Sequence, residues 1–240
     1  MDHASLYASS DASPQSVWSL VLSSGVLYGR YWKQFLLASG SVTALSWVII
    51  GASHVFGHDI RTLGALALPF GILTFLYAVA LLTIIAGEAS EKDSISLWHV
   101  YRRSPRALVL SAGALVGVAL AMGIVLFIPL LGLLVALYLY LRLSSSLELA
   151  VLENLAPLKA MRRSWSLTKG RSWIALLHAL LQHGYLVALV VVLVFSPHAA
   201  IGVLLVTVAL PALVIVRVLS YLDLRARQRL DGAPTPHSIS

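Results

Sequence analysis

The chain has 240 residues, 59% of them hydrophobic and 11% charged, with a net charge of +7 at pH 7. A soluble domain carries about 25% charged residues, so this composition cannot clothe a water-facing surface, and most of the chain must face lipid. The absence of cysteine excludes disulfides and cysteine-ligated zinc.

Residues 1–13 are polar and hold no Lys or Arg, unlike the basic start of a signal peptide, which predicts an uncleaved, disordered tail. Residues 14–34 form a first amphipathic segment, with Ser13 as N-cap before Pro14 and Val17, Leu20, Leu27 and Tyr31 on one face. Arg30 and Lys33 mark the cytoplasmic edge of the membrane. Residues 35–56 are the first span, since about 20 apolar residues cross a hydrocarbon core of about 30 Å. A short outer loop, 57–62, holds His58, Asp59 and Arg61, and residues 63–86 return as the second span. The inner segment 87–106 carries Glu88, Glu91 and Asp93, read as solvated. Within it lies a second amphipathic helix, 94–103, with Leu97, Trp98 and Tyr101 on one side and Ser104-Pro105 as its end.

Residues 107–141 are almost continuously apolar, and one helix of that length would run about 52 Å, well beyond the core. Pro129 and Gly132 supply a break, which gives two spans, 107–128 and 133–152. Gly113 and Gly117 offer a small-residue pair for close helix contact. The next stretch is the centre of the chain. After Asn154-Leu155-Ala156, Pro157 suits a first helical position, and Gly170 a left-handed stop. Between them Leu158, Met161 and Trp165 form an apolar stripe, opposite Lys159, Arg162, Arg163, Ser166 and Lys169. Such a helix is expected to lie in the headgroup layer, with Trp165 toward the acyl chains and the cations near anionic lipid phosphates. Residues 172–195 and 199–222 are the fifth and sixth spans, with Pro211 a kink. A basic cluster opens the tail at Asp223, and 230–240 is disordered.

The expected architecture is therefore all-α: a polytopic integral membrane domain over 14–229, with six transmembrane helices arranged as three hairpins, each preceded by an amphipathic interfacial helix. All but three of the 17 Lys and Arg then fall on the side of the N-terminus; Arg61 is outside, and Arg142 and Arg217 lie within spans. By the positive-inside rule both termini are cytoplasmic, in the cell membrane. Charge spread over every inner loop argues against a nucleic-acid partner. Tyr28-Gly29-Arg30-Tyr31-Trp32, Val100-Tyr101-Arg102-Arg103-Ser104 and Ala160-Met161-Arg162-Arg163-Ser164 echo one another as a loose threefold repeat.

The run Leu152-Glu153-Asn154, Pro157, Ala160-Met161-Arg162-Arg163-Ser164-Trp165, Leu167, Gly170 and Trp173 resembles the membrane domain of bacterial glycerophosphoryl diester phosphodiesterases, and Tyr221-Leu222-Asp223-Leu224-Arg225-Ala226-Arg227 resembles its end. The likeness covers about residues 133–229. Its motifs are topological, and no His-Arg-Gly motif or length for a catalytic barrel is present, so the resemblance implies a stand-alone membrane domain without the phosphodiesterase activity.

Ionisable groups inside spans are costly and mark candidate sites. Arg142, Ser144, Ser145, Ser146 and Glu148 crowd the fourth span, His178, Gln182 and His183 the fifth, and Arg217 the sixth. At about 1.5 Å per residue, Arg142 is expected near the midplane, beside Gln182 or His183, and Glu148 lower down, beside Arg217 or His178. No nucleophile elbow, His-Glu-x-x-His motif or phosphate loop occurs, so no catalytic residue and no cofactor is expected. His54, His58 and Asp59 are weak metal candidates. The leading reading is a non-enzymatic, lipid-interacting accessory or scaffold module, with a partner membrane protein or a homo-oligomer open. A small transporter or export- or immunity-type protein using the polar cluster is the alternative, and a lipid-modifying enzyme the second.

Overall fold

The computed structural model describes residues 16–56, 60–91, 95–126, 131–194 and 199–232. The outer turns expected at 57–62, 129–132 and 196–198, the tails and the Ser13-Pro14 cap lie wholly or partly outside the described residues; 60–62, 131–132 and 230–232 belong to helices instead. The described residues form helices α1 (Val17–Phe56), α2 (Ile60–Glu91), α3 (Leu97–Leu126), α4 (Leu131–Leu143), α5 (Ser146–Leu152), α6 (Pro157–Thr168), α7 (Ser172–Val194) and α8 (Ala199–Gly232), with no strand among them. Among the described residues, three stretches are long and apolar enough to cross a membrane: Leu97–Gly123, Leu134–Leu152 and Thr207–Arg229.

α1 begins at Ser16, whose Oγ accepts the Ser19 N–H at 3.1 Å as an N-cap. The first amphipathic segment and first span form one helix, bent where Tyr31 leaves helical geometry at φ −116° and ψ 22°. The face bearing Leu20, Leu27, Tyr31 and Phe35 is not laid on lipid. It is buried against Ala78–Ala89 of α2 and Leu210–Leu219 of α8.

Neither proline ends its helix. Pro105 sits inside α3 and Pro211 inside α8. A helical proline has no N–H for the carbonyl four residues back, and in both places a serine hydroxyl takes that carbonyl. Ser104 Oγ donates to Tyr101 O at 2.7 Å. Ser39 Oγ, from α1, donates to Thr207 O at 2.7 Å. The next two carbonyls of α8 are also served from outside, Val208 O by the Tyr28 hydroxyl at 3.0 Å and Ala209 O by that of Tyr185 at 3.1 Å. The expected helix end at Ser104-Pro105 is thus overturned, because Ser104 repairs the defect that Pro105 makes.

The expected fourth span is not one helix. It breaks at Ser144–Ser145 into α4 and α5. α6 starts at Pro157 and is followed by Gly170 at φ +76°, so both of its expected boundaries hold. Its buried face carries Ala160, Ser164, Leu167 and Thr168. The Gly113 and Gly117 pair of α3 receives α6: a Cβ on Gly113 would stand 2.6 Å from Pro157 Cγ, and one on Gly117 2.9 Å from Met161 Sδ. Backbone approach of this kind needs residues without side chains. Of the expected lipid-facing stripe, Leu158 and Trp165 are exposed while Met161 is drawn against α3.

α8 does not stop at Leu222. It continues to Gly232, with Asp223 and Leu224 buried, so the residues read as the start of a tail belong to the bundle.

Candidate functional site

The polar side chains collect around the α4–α5 break. Unwinding at Ser144–Ser145 frees backbone groups that would otherwise be unsatisfied. α6 supplies their partners. Ser164 Oγ donates to Arg142 O at 2.9 Å and accepts the Ser145 N–H at 3.3 Å, and Thr168 Oγ1 reaches the same carbonyl at 3.3 Å. The break is therefore a joint made by two strands of sequence, with the small polar face of the basic helix as its second half.

Arg142 does not meet Gln182 or His183, and the expectation of that pairing is overturned. Its Nε donates to the Tyr138 hydroxyl at 3.0 Å, and its guanidinium lies 5.0 Å from the Tyr138 ring centre and 5.4 Å from that of Trp165. Two aromatic faces stabilise the cation by their quadrupoles, and Tyr138 is one helical turn away on the same helix. His183 instead packs edge-on against Tyr140 at 5.1 Å, with Nδ1 2.7 Å from Ala179 O. Gln182 makes no hydrogen bond among the described residues.

Glu148 on α5 is buried and faces Arg217 on α8, Nε to Oε1 2.8 Å. The Nε–H is not aimed at the carboxylate, and Arg217 Nε and Glu148 Oε2 both lack a hydrogen bond among the described residues. The pair is thus held by charge at contact distance rather than by a linear hydrogen bond. Ser146 Oγ on α5 and Ser220 Oγ on α8 are buried without a partner there as well. His178 belongs to a different cluster: its Nε2 is 3.6 Å from Asp223 Oδ2, which also accepts from Arg227 Nε at 2.7 Å.

Three acidic groups that bind the bundle together were missed from sequence. Asp223 was assigned to the tail. Glu88 was read as solvated, yet it is buried, with His99 Nε2 and Arg103 Nη1 each 3.7 Å from Oε1. Glu153 accepts the Tyr221 hydroxyl at 2.7 Å and lies 3.6 Å from Arg225 Nε. A signal was present: Tyr221, Asp223 and Arg225 follow one another in a chain where acidic residues are scarce. Glu88, Arg103, Glu153, Tyr221 and Arg225, with Gly87 and Leu152, line a recess of about 80 Å³ between α2, α3, α5 and α8.

On α6, Lys159, Arg162, Arg163 and Lys169 are all exposed, and Trp165 is partly so. Of the weak metal candidates, His58 and Asp59 lie outside the described residues, as does the side chain of His54.

Compared with known proteins, the chain matches no family model, no curated protein and no solved structure.

Proposed function

We propose that the chain is a six-span protein of the cytoplasmic membrane, with both termini inside, acting without catalysis as a lipid-interacting accessory or scaffold module. The observation that carries this reading is the double character of α6. One face is tied to the α4–α5 break through Ser164 and Thr168, and the other presents Lys159, Arg162, Arg163 and Lys169 to solvent. A helix so built holds a row of cations rigidly at the bundle surface, where each contributes about 1 kcal/mol of attraction to an anionic leaflet. The carboxylates support the same reading, because buried Glu148, Asp223 and Glu88 and half-buried Glu153 each face a cation and so serve cohesion. The likeness of residues 133–229 to the membrane domain of glycerophosphoryl diester phosphodiesterases belongs to this proposal. Its most recognisable stretch, Leu152 to Trp173, coincides with the α5–α6 corner and α6.

Topology reporters test the spans. Fusions after Gly57, Leu131 and Pro197 report outside, and fusions after Ser90, Lys169 and Gly232 inside; an inside signal at Leu131 removes the hairpin between the third and fourth spans. Replacing Arg162, Arg163 and Lys169 together by Glu weakens binding to phosphatidylglycerol vesicles, and unchanged binding sinks the lipid role.

A second reading, transport, is favoured by one feature: a span interrupted beside a buried carboxylate is the construction that transporters use to expose backbone to a solute. The break at Ser144–Ser145 lies three residues from Glu148. Uptake or efflux lost in Glu148→Gln, with the protein still folded, would establish it.

A further inference from the structure

We propose that α3 carries a phosphate-binding site at the inner membrane surface, built by His99, Arg102, Arg103 and Arg106, and that its occupant is the headgroup phosphate of an anionic phospholipid. These residues have the spacing i, i+3, i+4, i+7, which places them on one side of a single helix. Together with Ala107, Val151 and Asn154 they line a cavity of about 390 Å³. The far wall is the end of α5, where Asn154 takes the left-handed conformation with φ 54°. That conformation turns the chain sharply between α5 and α6 and sets Asn154 opposite the arginines.

The charge balance fits an anion. Glu88 lies 3.7 Å from His99 and from Arg103 and answers one cation. Arg102 and Arg106 are exposed and have no carboxylate partner among the described residues. Two guanidiniums one turn apart, with a third beside them, match the several acceptor oxygens of a phosphate group, which arginine forks bind bidentately.

The position fits a lipid. α3 runs without interruption from this basic turn into an apolar stretch, and Arg106 is its last charge before Ala107. The arginines therefore stand at the depth of the headgroup phosphates, with Trp98 exposed one residue before His99, as an aromatic at the interface. Val151 and Ala107 give the cavity an apolar flank for the glycerol end of the lipid. This inference rests on the lipid-interacting reading above, but it names a different helix from α6.

The test uses the full chain reconstituted in phosphatidylcholine nanodiscs with or without phosphatidylglycerol, with retained lipid counted by native mass spectrometry. Wild type retains phosphatidylglycerol. Arg102→Gln/Arg106→Gln retains it roughly thirty-fold less tightly, and Arg102→Lys/Arg106→Lys recovers most of the difference. Both positions are exposed and outside the ion pairs, so the variants fold, as a matching elution profile checks. Wild-type retention in the Gln pair, with loss in Arg162→Gln/Arg163→Gln, overturns the site and leaves the α6 reading standing. Inorganic phosphate added to phosphatidylcholine discs separates the two sources: protection of the cavity arginines from phenylglyoxal by phosphate alone, with no phosphatidylglycerol retained, keeps the phosphate chemistry and overturns the lipid as occupant. No protection and no retention overturns both.

Discussion

The Ser164 hydroxyl donates to the Arg142 carbonyl at 2.9 Å and takes the Ser145 N–H at 3.3 Å, so one side chain of α6 closes both sides of the gap between α4 and α5. Ser164 is fully buried, and no water replaces it when it is lost. Ser164→Ala is expected to lower stability by about 1–3 kcal/mol, the cost of an unserved buried polar group. Thr168→Val costs less, because its 3.3 Å contact to Arg142 O is the weaker share. Thermal melts in detergent check the order, and equal melting temperatures for wild type and Ser164→Ala would count against the joint.

Glu148 and Arg217 make a second connection between the same corner and α8. Removing one partner of a buried pair costs about 3 kcal/mol or more, and the lower end applies because Arg217 keeps partial access to solvent. Glu148→Arg is therefore strongly destabilising, and adding Arg217→Glu restores part of the loss. A double variant no better than the worse single one would show that the two charges are not coupled.

Gly113 and Gly117 both lie against α6, but they should not respond alike. Alanine is favoured over glycine in a helix by about 1 kcal/mol. At Gly113 the new methyl meets the rigid ring of Pro157 at 2.6 Å, and at Gly117 the flexible sulfur of Met161 at 2.9 Å. Overpacking costs about 1–3 kcal/mol where nothing can yield. Gly113→Ala is expected to destabilise and Gly117→Ala to be near neutral, a difference that paired melts resolve.

The two serine–proline arrangements predict a coupling. Ser39→Ala leaves Thr207 O without its hydroxyl donor and costs about 1 kcal/mol in the native chain. In a Pro211→Ala background the restored N–H takes that carbonyl, and the same change costs less. Ser104 and Pro105 should behave likewise toward Tyr101 O. A double-mutant cycle measures the coupling, and additive effects would remove it.

Helix content and the boundaries of α6 were legible because Pro157 and Gly170 act through their own backbones, whatever surrounds them. The pairing of Glu148 with Arg217 was within reach of depth arithmetic, since rise per residue is the same in every helix. The same arithmetic failed for Arg142, because depth does not fix which way a side chain turns round its helix: Tyr138, one turn back on α4, and Trp165 of the basic helix hold the guanidinium instead. Glu88 and Asp223 were missed for a related reason. Hydropathy assigns a carboxylate at the end of an apolar run to water, and only the packing of other helices against that end reveals a buried ion pair. The helix end at Ser104-Pro105 was misread because a proline's effect depends on a hydroxyl: Ser104 takes the Tyr101 carbonyl, and the matching donor beside Pro211, Ser39, is far off in sequence and visible only in the fold.

The continuation of α8 past Leu222 bears on how the chain can be cut and joined. Hydropathy would place a stop codon or a fusion junction directly after Leu222, yet that cut removes Asp223, which faces His178 and Arg227, and Arg225, which faces Glu153. Such a truncate would retain every apolar span and still leave the His178 and Glu153 ends of the bundle unmatched. Anything attached to this protein at its C-terminal side belongs beyond Gly232.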